Sequence, residues 1–147
     1  MPECTCFPSP PGGIHRCPSG QIAICGYDPL GRCEGECATV DSDLAPLDYA
    51  ARLLSKVVGK SLSADDLEKD AKECAAIVNL LLDSSDENKA VRFTLNGRPH
   101  RVSVGLTNIA KKKLGEAART LASSREPPTG STPSRSRPNT RPLSSGA

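Results

Sequence analysis

The sequence predicts an α+β fold in three parts: a small cysteine-rich β-hairpin module over residues 1–40, an ααββα mini-domain over 44–123, and a disordered Pro/Ser/Arg-rich tail over 124–147. Three observations carry this expectation. Six of the seven cysteines fall before residue 38, among turn-forming Gly and Pro. Apolar residues then recur at helical spacing in three segments, interrupted by two alternating runs around Asn96-Gly97. Beyond residue 124 the chain is mostly Pro, Ser, Thr, Gly and Arg, and its lone Leu143 buries too little to offset the entropy of ordering.

In the first part, residues 21–27 read as a strand, with Ile22 and Ile24 in alternation. Asp28-Pro29-Leu30-Gly31 has turn chemistry, because Pro presets φ and Gly accepts the sharp return. Residues 32–40 then lead back as the second strand of a short hairpin.

The mini-domain opens with a helix over 44–59. Pro46 suits a first helical position, Gly59 ends the segment, and Leu47, Ala50, Leu53, Leu54, Val57 and Val58 form its stripe. A second helix is expected over 63–83, with Ser63 as N-cap and Asp65, Asp66 and Glu68 at the positive end of the helix dipole. Its stripe is Leu67, Ala71, Cys74, Val78, Leu81 and Leu82. Asn96-Gly97 is a favoured two-residue hairpin turn, and it sets Val91 opposite Val102 and Phe93 opposite His100. Pro99 lacks an N–H, which makes the second of these strands an edge strand near that end. A last helix follows from about residue 108, capped by Thr107 or Asn108, with Ala110, Leu114, Ala117 and Leu121 as its stripe.

Aromatic content is 3%, with no Trp, so the core is aliphatic and modest. A front end with so few apolar residues needs cross-links to hold one shape. Cys4, Cys6, Cys17, Cys25, Cys33 and Cys37, with His15 among them, supply the donors of a structural zinc site, which takes four ligands. There is no C-x2-C pair, so disulfides are the main rival and free or redox-active thiols the next. His15 is either a ligand or an exposed loop histidine. Cys74 falls on an apolar stripe and reads as a packed, inert thiol.

Residues 1–20 lack a basic start followed by an apolar run, which predicts the cytoplasm, where thiols stay reduced. The longest apolar stretch, near residues 75–82, is too short to span a bilayer, so no membrane partner is expected.

Catalysis is not expected. The two histidines give no nucleophile–base–orienter set, and neither a phosphate loop nor a dinucleotide fingerprint occurs. Charge is strongly segregated: residues 34–87 carry a net −8 and residues 88–147 a net +10. Two placements break local rules. Arg92 falls opposite Arg101 on the hairpin, and Lys111, Lys112 and Lys113 crowd the positive end of a helix dipole. An anion would relieve both conflicts, so these five residues are a candidate anion-binding patch, and internal pairing with the acidic helix is the plainer account. The reading that follows is a non-catalytic, zinc-stabilised module that binds a protein partner. The alternatives are a nucleic-acid-binding protein using the basic face and tail, a disulfide-stapled secreted factor, and a thiol-redox protein.

Overall fold

The structure is a computed structural model that describes residues 2–6 and 13–124; the tail expected beyond Ser124 lies outside the described residues. In chain order the elements are β1 (Glu3–Thr5), β2 (Ile14–Arg16), β3 (Ile22–Tyr27), β4 (Cys33–Ala38), α1 (Pro46–Val58), α2 (Ala64–Lys69), α3 (Ala71–Glu87), β5 (Val91–Leu95), β6 (Arg98–Gly105) and α4 (Asn108–Ser124). The α+β class is as the sequence predicts.

Both expected hairpins form in the expected order. Asp28 closes the first turn by accepting from the amides of Leu30 and Arg32 at 2.9 and 2.8 Å, and Gly31 takes φ 85°. In the second, Asn96 and Gly97 sit at φ 53° and 78°, as a type I′ turn requires. The register there is Val91 to Val102, Arg92 to Arg101 and Phe93 to His100.

The hairpins do not stand apart. β3 pairs antiparallel with β6, giving one four-stranded sheet in the order β4-β3-β6-β5. The pairing of β3 with β6 stops at Gly26 and Val102. Pro99 therefore lies in the stretch of β6 that has only β5 beside it, where a missing N–H leaves no ladder bond unmade.

One face of this sheet carries Ile22, Ile24, Phe93, Leu95, Val102 and Val104 into a core with the four helices. The alternate residues Ala23 and Cys25 face the other way, into a second cluster with Cys4, Cys6 and Cys17. Residues 22–25 are all buried because both faces of β3 are covered.

The covering layer on the second face is β1 with β2, paired Glu3 to Arg16, Cys4 to His15 and Thr5 to Ile14. Sequence patterning missed both strands, since three residues show no usable alternation. β1 is fixed to β6 by the Thr5 amide, which donates to buried Ser103 Oγ at 2.9 Å. It also lies directly on Gly105, where any Cβ would meet the backbone of Glu3.

The helices follow their signals with one exception. α1 has Pro46 at its start and Gly59 at φ 71° as its C-cap, donating to Ser55 O at 2.9 Å. Ser63 caps α2 in a reciprocal box with Asp66, whose carboxylate accepts from the Ser63 amide at 2.9 Å. Those bonds hold the Asp66 carboxyl below its usual range. The single helix expected over 63–83 is in fact two. Asp70, at φ −124° and ψ 51°, leaves the helical region between α2 and α3. Asp is a poor helix-interior residue, and the short capped α2 needs only Leu67 to anchor it in the core. α3 also runs one turn further than expected, to Asn88 at φ 54°. Of the two cap candidates for α4, Thr107 caps, its Oγ accepting from the Ala110 amide at 3.1 Å.

Candidate functional site

The six N-terminal cysteines pair as Cys4–Cys25, Cys6–Cys33 and Cys17–Cys37. The layered fold brings them together. β1 carries Cys4 over Cys25 of β3, and β4 holds Cys33 and Cys37 at the sheet edge. Cys4, Cys17 and Cys25 are fully buried, whereas Cys37 is exposed.

Among the described residues, five of these cysteines and His15 form two groups of three donors, Cys6–Cys25–Cys33 and His15–Cys17–Cys37, each with its ligand atoms within 4.8 Å of one another. With free sulfurs, either group has the donor types and closeness that a metal ion uses. His15 is half-buried on β2, and its Nε2 lies 3.6 Å from Cys17 Sγ and 3.5 Å from Cys37 Sγ. Its ring occupies the space over Gly35, where a Cβ would collide with the imidazole. The signal for this placement is Gly35 itself, two residues before Cys37 on the same face of β4.

Cys74 is the free thiol, 1% exposed in the main core. Burial, reinforced by Glu73, Asp70 and Asp66, pushes its pKa up from 9.0 to about 11. The thiol form is thus favoured in the fold, and the resulting stability is complete below the unfolded value and lost as pH rises from about 9 through about 11. Native protein at pH 8 is expected to react with a thiol reagent at Cys74 only as fast as the core opens. Immediate labelling of one thiol in non-reducing buffer would contradict this.

Arg92 and Arg101 face each other across β5 and β6. They line a groove of about 630 Å³ with Tyr27, Asp28, Pro29, Gly31, Phe93, Thr94, Pro99 and His100. The Arg101 guanidinium lies 4.0 Å over the Tyr27 ring, and the Tyr27 hydroxyl donates to Thr5 O at 3.2 Å. Neither arginine makes an ion pair among the described residues. Asp28, the acid of the groove, is committed to its own turn. The Arg32 amide, then its guanidinium and the Leu30 amide, hold its carboxyl below the usual range. His100 packs on Phe93 with ring centroids 5.3 Å apart, and burial and Arg98 lower its pKa, so it adds little charge at neutral pH.

The other three bases of the expected patch do not line this groove. Lys111 pairs with Asp86 of α3 at 3.2 Å, and Lys113 Nζ donates to Leu44 O at 2.7 Å. Lys112 is exposed on the same turn of α4. Part of the charge segregation is thus spent within the chain, between α4 and α3.

No family model matches the sequence, and neither the curated proteins nor the solved structures yield a match. No helix among the described residues is long and apolar enough to cross a membrane.

Proposed function

We propose that the protein is a non-catalytic interaction module that binds an acidic segment of a protein partner in the groove between its two hairpins. One observation carries this: two directly opposed arginines, without a carboxylate partner among the described residues, sit beside an aromatic ring in a groove of about 630 Å³. Like charges in direct cross-strand contact are unfavourable, and bound carboxylates relieve them with charge-assisted hydrogen bonds. The pairing of β6 with β3 stops at Val102, and Pro99, His100 and Arg101 beyond it line the groove, so an extended peptide has backbone groups to meet as well. A peptide suits the site better than nucleic acid, because the face of Tyr27 is already covered by Arg101 and offers no base a stacking platform.

The test is titration of the full chain with a Glu-rich peptide at low salt. Arg92→Glu with Arg101→Glu is expected to weaken binding at least about a hundredfold, as two desolvated charge-assisted contacts would imply. Lys112→Glu is expected to change it little. Absence of peptide binding at low salt would remove this reading. Tighter binding of an oligonucleotide, lost in Lys112→Glu, would favour the nucleic-acid alternative.

A second reading is zinc in place of some disulfides, supported by the two three-donor groups. It belongs with a reducing compartment such as the cytoplasm, whereas three intact disulfides belong with an oxidising one. Native mass spectrometry before and after a chelator counts the ions.

A further inference from the structure

We propose that Cys17–Cys37 is a reducible latch over a metal site: once a dithiol opens it, both thiolates and the His15 imidazole take up a zinc-like divalent ion while Cys4–Cys25 stays closed. The inference rests on the metal reading for its donors, and adds which bridge opens and what forms there.

Access separates the bridges. Disulfide exchange requires a thiolate to reach a sulfur. Both sulfurs of Cys4–Cys25 belong to fully buried residues, and Cys6 is 8% exposed beside a half-buried Cys33. Cys37 is exposed on β4, an edge strand. A donor thiolate attacks Cys37 Sγ, and Cys17 leaves as a thiolate that takes a proton from solvent. The donor's second thiol then attacks the mixed disulfide, releasing Cys37 and the donor as its own disulfide. Two electrons and two protons have moved to Cys17 and Cys37. The ion binds both sulfurs as thiolates and returns the two protons to solvent.

The geometry is already near that of the product. A tetrahedral centre with Zn–S about 2.3 Å and Zn–N about 2.0 Å has an S···N edge of about 3.5 Å. His15 Nε2 lies 3.6 and 3.5 Å from the two sulfurs. Opening the bridge then requires only that the sulfurs separate from about 2.05 Å to about 3.8 Å. Gly35 leaves the imidazole the room it needs there, since a Cβ at that position would collide with the ring. A His and two Cys leave a fourth position for water, and exposure of Cys37 puts solvent there.

The experiment is stepwise reduction of the full chain with dithiothreitol, with alkylation and peptide mapping at each step and Co²⁺ as the probe. Cys17 and Cys37 are expected to label first, and that species to bind a single Co²⁺ with thiolate charge-transfer absorption. Zn²⁺ should displace the Co²⁺ and abolish the band. His15→Gln is expected to leave the order of reduction unchanged and to weaken Co²⁺ at least about tenfold, a loss seen even for outer-shell partners. Opening of Cys4–Cys25 first overturns the proposal, as does unchanged Co²⁺ affinity in His15→Gln. If Co²⁺ binds only after all bridges are cut, the latch is wrong and the metal reading stands. If it binds at no stage, both fall.

Discussion

Replacing Gly105 with valine is expected to lift β1 from the sheet and to lower stability by about 3 kcal/mol or more, the upper range for overpacking a tight contact. Gly105 lies opposite Ala23 at the end of the β3–β6 pairing, and Ser103 lies opposite Cys25. These small side chains let the β1 backbone approach the sheet until the Thr5 amide reaches Ser103 Oγ. A Cβ on Gly105 would run into the nitrogen, carbon and oxygen of Glu3. The obstacle is backbone, so no rotamer change removes it. Gly105 is not among the glycines at positive φ, so the substitution tests packing and not backbone conformation. Urea unfolding of the purified variant, with limited proteolysis of the first residues, measures both effects. Gly105→Ala already adds the colliding atom, so wild-type stability in that variant would show that β1 does not sit as described.

Legibility in the sequence followed the length and amphipathicity of each element. The 91–105 hairpin was fully readable because Asn96-Gly97 fixes the turn and five apolar residues fix the face, and the observed register agrees. α1 was readable from Pro46 and Gly59. The break at Asp70 was not, because Leu67, Ala71 and Cys74 keep helical spacing across it and periodicity does not sense one residue leaving helical φ/ψ. The joining of β3 to β6 was hidden for another reason. Strand partners far apart in sequence leave no local mark, and Ile22-Ala23-Ile24-Cys25 resembles any short half-buried strand. At the candidate site, the opposition of Arg92 and Arg101 followed from the turn alone. Tyr27, which completes that groove, did not, because its position depends on the long-range pairing. The six clustered cysteines and His15 were all nameable from clustering, and the sequence left the choice between metal and disulfides open, because spacing of C-x-C and C-x3-C type is compatible with both.

Removing the Cys4–Cys25 bridge by paired alanine substitution is expected to lower stability by about 3 kcal/mol from chain entropy alone, for a sequence separation of 21. A midpoint shift on the order of 10 °C follows for a domain of this size. Removing Cys17–Cys37, separated by 20, has nearly the same entropic term. The two double variants should still differ. Cys4 and Cys25 are both fully buried in the cluster between β1 and the sheet, and their sulfurs leave a void when deleted, whereas Cys37 is exposed. The Cys4/Cys25 variant should therefore be the less stable, and equal midpoints would mean that the second face of the sheet is not a packed layer. The wild-type chain supplies the complementary measurement. If sulfur–sulfur bonds fix this face, a strong reductant lowers the thermal midpoint and a chelator leaves it unchanged. If an ion fixes it, the chelator lowers the midpoint and mild reductant does not, because thiolates already bound to metal have no bridge to lose.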